Sequence, residues 1–482
     1  MRISDLPGPR GIPILGNALQ IDSTSMHLTA EKWSRTYGEV YRFRLGPRQL
    51  VVLSNPETIA AALRDRPDGF QRTTRMTRIA RDMGFNGVFS AGGEAWRRQR
   101  PMVMAGFDPG RIKAYFPGLL KVTERFERRW RRAARAGATI DLQADLMRYT
   151  VDVTAGLAFG ADINTIESDT DVIQQHLDKV LPSLFKRLMA PFPTWRWLRN
   201  RSVDKHLKAL QSAVAQFITQ ARARMDANPA LRSQPTNLIE SMIAARDTEG
   251  SGVDDADVAG NVLTMLLAGE DTTANTLAWM IYLLSRHPDA LARAQAEVSG
   301  KDLRRYENIM ALPYVEACIN ETMRLKPVAP ILMLEPIRDT RIGELEVPAG
   351  TLLMCLMRAG ATDERRFADA QAFDPERWFS GTSASSAKRV AMPFGAGPRL
   401  CPGRYLALLE MKMVMAMLLA GFEIESVTTP DGGEAREHLA FTMSPVGLKL
   451  RLKMGLKMGS DPIFSTSSAT PERAEAPHAR SA

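Results

Sequence analysis

Cys401 is the residue of this chain best placed to do chemistry. It lies in the run Phe394-Gly395-Ala396-Gly397-Pro398-Arg399-Leu400-Cys401-Pro402-Gly403. Two glycines and a proline ahead of it suit a tight loop with close backbone approach. Pro402 suits the first position of a helix. Cys401 would then sit at a helix N-terminus, where free N–H groups and the positive end of the dipole favour a thiolate. Such a sulfur can be a nucleophile, a redox sensor or a metal ligand. A nucleophile wants a base, and none of the six histidines lies nearby in sequence, although a base can come from far along a chain. A thiolate bound to iron wants N–H groups around the sulfur and an apolar cover, here Phe394, and Arg399 could reach an acidic cofactor edge. Cys318 and Cys355 read as small buried hydrophobes. Three cysteines at these spacings make no disulfide framework and fit a reducing cytosol.

Other groups carry weaker signals. Ala268-Gly269-Glu270-Asp271-Thr272-Thr273 falls inside a helical stretch. Glycine there costs up to ~1 kcal/mol against alanine, and a small residue lets a flat ligand approach the backbone. Thr264, Ala268 and Thr272 share one face at four-residue spacing. Asp271 sets an acid beside the Thr272 hydroxyl, the other reading being a bent helix with a helix-bonded threonine. Glu321 and Arg324 have ion-pair spacing, common by itself. Trp96 and Arg100 share a face and are both good donors to a carboxylate.

The elements that must position these groups follow from periodicity. Apolar residues at three- and four-residue spacing predict helices over 56–63, 94–104, 112–136, 203–227, 254–284, 288–298 and 313–325. Strand-like residues around Gly46-Pro47 predict a hairpin over 40–53. The Pro- and Gly-rich opening, 6–17, reads as an extended arm. After Pro327 short strands (342–347, 351–357) alternate with turns. A last long helix follows Cys401 to about 419, and a strand pair spans 422–427 and 447–453. The Ser/Ala/Thr-rich stretch 380–387 reads as a surface loop, and the tail after 459 as disordered.

With 45% hydrophobic residues the chain can bury a large core and a sizeable cofactor. Its net charge of +9 is not concentrated with interleaved aromatics, so nucleic acid is not the partner. The densest basic run, 125–135, reads as the solvated face of a helix. Polar residues interrupt the most apolar stretch, 258–284, which excludes an integral membrane segment there, and no signal peptide opens the chain.

Phe394-x-x-Gly397-x-Arg399-x-Cys401-x-Gly403 resembles, at every defining position, the haem-binding signature of the cytochrome P450 superfamily, the haem-thiolate monooxygenases. The resemblance runs from the Pro-rich arm to roughly Arg451. It implies a mainly α fold with small β-sheets (α+β), with haem b between the long central helix and the cysteine-loop helix. A single catalytic domain would span 1–459, with a tail over 460–482. Cys401 would bind the iron, with Phe394, Gly395 and Ala268 against the haem and Trp96, Arg100 and Arg399 donating to its propionates. Asp271 and Thr272 would deliver protons to dioxygen. Glu321, Arg324 and Arg377, the last in Asp374-Pro375-Glu376-Arg377-Trp378, would form a buried charge network holding the cysteine loop.

By the same resemblance Phe89, Thr264, Leu267, Ala268 and Ala329 line the substrate pocket. Segments 181–198 and 441–445 would form its roof and side, and Arg72, Arg75 and Arg78 would stand near an entrance. These surfaces are mostly apolar, which implies a lipophilic substrate such as a fatty acid, terpenoid or steroid, hydroxylated or epoxidised with O2. No flavin or iron–sulfur motif follows the cysteine helix. Electrons from NAD(P)H would therefore come through an external ferredoxin or flavodoxin and its reductase. Arg97, Arg98, Arg404 and Lys412, joined by the 125–135 run, would steer that acidic donor. The arm resembles the hinge after the membrane anchor of microsomal members, and no anchor precedes it here. The expectation is a soluble, cytoplasmic, bacterial-type monomer. The alternatives are a peroxide-driven or electron-independent haem-thiolate enzyme, which commonly lacks the acid–alcohol pair kept here, and a non-catalytic haem sensor.

Overall fold

Twelve strands are present in the computed structural model, in which residues 1–168, 172–190, 200–379, 381–455 and 463–464 are described. In chain order they are Val40–Leu45 (β1), Arg48–Leu53 (β2), Phe70–Arg72 (β3), Ile140–Asp141 (β4), Ile331–Pro336 (β5), Thr340–Ile342 (β6), Leu345–Val347 (β7), Leu352–Leu356 (β8), Phe422–Thr428 (β9), Glu437–Leu439 (β10), Met443–Pro445 (β11) and Lys449–Met454 (β12). The expected hairpin is β1–β2, turned by Gly46 at φ +59°, a left-handed conformation that glycine adopts without a Cβ clash. The larger sheet runs β1-β2-β8-β5-β3, and β4-β12-β9 form a second. The piece expected as one strand over 342–347 is instead a hairpin, β6–β7, because Gly343 at φ +58° turns the chain.

Helices make up the rest of the scaffold. The central one, Asp255–Arg286, begins with Asp254 accepting from the Asp257 N–H in a capping box and carries Asp255 and Asp257 in its first turn. Both features suit the positive end of the dipole. It packs chiefly on the helix Leu142–Phe159. Gly269 serves that contact. A Cβ at this position would lie 2.5 Å from Thr154 Oγ1, so the glycine admits a neighbouring helix rather than the flat ligand expected from sequence.

Three further expectations change. The last helix is Arg404–Gly421, with Gly403 as its N-cap, so Pro402 lies outside it and Cys401 stands three residues before its first turn. The stretch expected as a loop forms the helix Gly381–Val390, Ser380 lying outside the described residues. Ala387 and Val390, three apart, are buried there against Ala361, Phe367 and Ala370, a helical spacing that the small residues before them obscure. Within the expected disordered tail, Ile463 and Phe464 are described. Phe464 is fully buried, and both N–H groups donate to Glu127. Residues 460–462 and 465–482 lie outside the described residues. No helix among the described residues is long and apolar enough to cross a membrane.

Candidate active site

The cysteine loop is held by its own backbone. Cys401 N–H donates to Phe394 C=O at 3.0 Å, Gly395 N–H to Met392 C=O at 2.9 Å and Leu400 N–H to Gly397 C=O at 3.0 Å. Gly397 has φ +70°, and a Cβ there would meet Leu63 O at 2.6 Å and Arg64 Cα at 2.7 Å. Conformation and space therefore both require glycine. Gly395, at φ +77°, has no atom within 4 Å of a Cβ position, so its side of the loop is open. Burial pushes the Cys401 thiol up, while the Gly403 N–H and the charges of Arg100 and Arg404 pull it down. The thiolate-favouring helix end expected from sequence is thus weaker than burial, since the helix starts only at Arg404. A coordinated cation would reverse the balance, because it deprotonates a thiol outright.

Beside the loop stands a cluster of cations without acids. Arg100 donates to Leu400 C=O at 2.5 Å and Arg399 to Ala91 C=O at 2.6 Å. Both guanidiniums lie over the buried Trp96 ring, at 6.0 and 4.8 Å from its centroid. Arg66 and Arg72 join them. Arg66 is buried with its Nε and Nη2 unpartnered, and Arg399 Nε is unpartnered as well. Burial, then the charges of Arg66 and Arg100, push Arg399 down to about 9. Burial pushes Arg66 down to about 10. Arg72 is driven well down by burial and then by Arg66 and Arg399. A guanidinium does not give up its proton in this range, so these downward pushes measure what burial costs these charges, with cationic crowding added at Arg72 and Arg399. None of the four makes an ion pair with Asp or Glu among the described residues. A buried charge wants a partner, and the two carboxylates of haem suit this donor set. The site therefore fits haem, with Cys401 offering sulfur on one side and the arginines offering N–H groups at the edge. Sequence reasoning passed over Arg66 and set Arg72 at an entrance. Arg72 instead donates to Phe89 C=O at 2.5 Å.

The central helix carries the residues expected on the other wall. Ala268 is exposed, as is Ala329, so both small residues leave their backbone open to a flat ligand. Thr272 Oγ1 donates to Ala268 C=O at 2.9 Å, which is the helix-bonded geometry weighed above. Asp271 accepts from Thr442 Oγ1 at 3.3 Å, and Gln143 donates to Asn275 at 3.2 Å one turn on. Thr264 is buried and donates to Gly260 C=O at 2.6 Å, whereas Leu267 is half-buried. Val88 N–H donates to Asn261 Oδ1 at 2.8 Å, which anchors the segment carrying Phe89 to this helix. The rings of Phe89 and Phe441 meet edge to face at 5.8 Å. Met443 N–H donates to Val328 C=O at 2.8 Å, strapping the segment before Ala329 to the hairpin β10–β11. Of the expected roof, residues 191–198 lie outside the described residues.

Glu321, Arg324 and Arg377 are brought together in one buried cluster. Glu321 takes two bonds of 2.7 Å from Arg324 and further ones from Arg377 at 3.4 Å and the Trp378 indole at 2.9 Å. Arg324 also donates to the carbonyls of Ala361, Ala370 and Ala372. Every member except Trp378, which is partly exposed, is buried.

A sequence model described as Cytochrome P450 matches residues 6–452. The chain belongs to the cytochrome P450 family. Its relatives include a cyclooctat-9-en-7-ol 5-monooxygenase of Streptomyces melanosporofaciens, 28% identical over 87% of this chain and 89% of that one. A pentalenene oxygenase of Streptomyces avermitilis is 27% identical over 92% and 96%. A bifunctional cytochrome P450/NADPH–P450 reductase of Acremonium egyptiacum is 27% identical over 88% of this chain but only 41% of its own length. As a P450 the protein is a haem-thiolate monooxygenase that uses O2 and electrons from NAD(P)H to oxidise lipophilic substrates.

Most cations of the expected basic docking face are paired with carboxylates. Lys412 is fully buried, donating to Met310 C=O at 2.9 Å and pairing with Glu316 at 2.6 Å. Arg98 pairs with Asp257 at 3.1 Å, and Arg97 with Asp68 and Glu94. In the 125–135 run, Arg125, Arg128, Arg129 and Arg131 all pair with acids. Carboxylates one helical turn away (Glu94, Glu124, Glu127) and others distant in sequence (Asp68, Asp145, Asp162, Asp257, Glu316) neutralise most of the positive charge. Arg404, packed over Tyr405, and the exposed Arg132 and Arg135 make no ion pair among the described residues.

Proposed function

We propose that this P450 hydroxylates or epoxidises a terpenoid-like, largely hydrocarbon substrate, with Cys401 as the iron ligand and Asp271 and Thr272 as the proton-delivery pair. The observation that carries the site assignment is the juxtaposition of the backbone-locked Cys401 loop with the acid-free cluster of Arg66, Arg72, Arg100 and Arg399. The apolar character of Phe89, Phe441, Leu267, Ala268 and Ala329 supports the substrate class, as do the compounds named for the two Streptomyces relatives.

Haem bound between these walls supplies two-electron activation of dioxygen, one oxygen atom going to a C–H or C=C bond of the substrate and the other to water. The rest is the work of this chain. Phe89 and Phe441 form an aromatic wall that orients an apolar substrate and excludes water. Two protons must arrive for each turnover. Asp271, hydrogen-bonded to Thr442 at 3.3 Å, is the group that takes them up, and Thr272 passes them on. At rest the Thr272 hydrogen points at Ala268 C=O. Donation toward the cavity therefore requires the hydroxyl hydrogen to swing away from that carbonyl by rotation about the Cβ–Oγ1 bond. The Glu321–Arg324–Arg377 network holds residues 361–378 rigid, and through the helix Gly381–Val390 it steadies the start of the cysteine loop.

Electrons come from an external ferredoxin or flavodoxin approaching on the side of Arg404, three residues from the thiolate, and the protein works as a cytoplasmic monomer. The decisive experiment is optical. Reduced protein under carbon monoxide should show the red-shifted band of thiolate-ligated haem, and Cys401→Ser should abolish it. A persistent band would remove Cys401 as the ligand. A panel of cyclic terpenoids, fatty acids and steroids screened for a low-to-high spin shift then tests the substrate class, which fails if only the fatty acids respond.

A further inference from the structure

His176 and His206 face each other across two helices away from the haem site. His176 lies on Val172–Met189 and His206 on Arg201–Ala227. Their Nδ1 atoms are 2.7 Å apart, with ring centroids at 5.0 Å and planes tilted by 56°. Both residues are half-buried. We propose that this pair is a two-imidazole clamp for a late first-row divalent metal ion, with Zn2+ or Cu2+ as the fitting class.

One hydrogen can lie between two nitrogens this close, so one Nδ1 presents a lone pair, and on metal binding the other ring shifts its proton to Nε2 by exchange with solvent and stays neutral. Neutral imidazole is the ligand form for zinc, copper and nickel. Zinc–nitrogen bonds of about 2.0–2.1 Å at a near-tetrahedral angle place two ligand nitrogens roughly 3.3 Å apart, and at a right angle roughly 2.9 Å. The pair must therefore open by a few tenths of an ångström, which small side-chain rotations supply without moving either helix. Among the described residues no group of three His, Cys, Asp or Glu completes a protein-only site. Two positions fall to this pair and the others to water, which half-exposed rings admit. Binding of that kind is reversible and moderate in strength.

The clamp would join two elements that contact the β1–β2 hairpin, the helix carrying Arg75 and the central helix. The carbonyls of Arg187 and Ala190, at the end of the first helix, accept from Arg75, and those of Met189 and Ala190 accept from Arg48. The second helix brings Gln211 against Gly84, which also neighbours Leu263 of the central helix. A metal ion at the pair would fix these two helices to each other.

The test uses tag-free holoenzyme, stripped of loose metal by chelator and titrated with zinc chloride in a calorimeter. One zinc ion per chain should bind in the micromolar range. Tm should climb with free zinc, as preferential binding to the folded state requires. His176→Ala and His206→Ala should each weaken binding by roughly tenfold or more. His206→Cys, which keeps a zinc ligand at that place, should retain it. His438→Ala, on the exposed middle of β10, should change nothing. Binding only at millimolar zinc would overturn the proposal, as would equal binding by His176→Ala and His438→Ala. The carbon monoxide band and the zinc-free Tm report whether each variant has folded.

Discussion

The guanidinium of Arg72 lies 3.7 Å above the Phe89 ring and donates a hydrogen bond to the carbonyl of that same residue. One side chain thus fixes the ring proposed to line the pocket and adds its charge to the cluster proposed to meet the haem carboxylates. Arg72→Leu should loosen both. A hydrogen bond to a charged group contributes about 1.5–3 kcal/mol, so haem should leave the variant about ten- to a hundredfold faster. Haem transfer to a scavenging apoprotein measures this rate, and an unchanged rate would take Arg72 out of the haem site.

Glu321 holds three other side chains in a buried setting. Removing one partner of a buried ion pair leaves the other uncompensated, at a cost of about 3–5 kcal/mol. Glu321→Ala should therefore yield chain that is largely haem-free, with a sharply lower Tm. Haem content per chain and thermal melts are the measurements.

Thr272→Ala should leave substrate binding intact and divert electrons to peroxide. Positioned proton transfer contributes about 10²–10⁴-fold in rate, so product formed per NAD(P)H consumed should fall steeply while the substrate-induced spin shift persists. Peroxide yield against product yield decides the point, and full coupling in the variant would exclude the hydroxyl from the relay.

Glu410, on the helix that follows the cysteine loop, carries a pH signature. Burial pushes its carboxyl from the ordinary 4.5 up to about 8, only partly offset by a hydrogen bond from Thr273 of the central helix. Between these two values the folded chain binds a proton that the unfolded chain does not. Its contribution to stability is therefore complete below about pH 4.5 and is lost as pH rises to about 8, at about 1.4 kcal/mol per pH unit. Melts of the wild type and Glu410→Gln from pH 5 to 9 should diverge, with the wild type losing more stability on the alkaline side. Parallel curves would mean that Glu410 is not held neutral.

What the sequence disclosed was local. The loop from Phe394 to Gly403 folds through bonds among its own residues, so its glycines could be read directly. The pair Glu321–Arg324 is set by helix geometry, and the helices 288–298 and 313–325 end where proline and apolar spacing say they should. What stayed hidden depends on distant partners. Nothing near Arg66 announces that it will share a buried cluster with Arg399. Gly269 looks like a ligand-facing gap until Thr154 fills the space, and Lys412 looks like a surface charge until Glu316 and Met310 take it inside.

The buried ring of Phe464 bears on how the polypeptide can be handled. A cut at residue 459, which composition alone recommends, would remove that ring from its seat and leave the Glu127 carboxylate with two fewer donors. Loss of a core phenylalanine side chain costs about 3–5 kcal/mol. Trimmed preparations should melt earlier than those ending beyond Phe464, and a reporter fused at the C-terminus is better attached after that residue than before it.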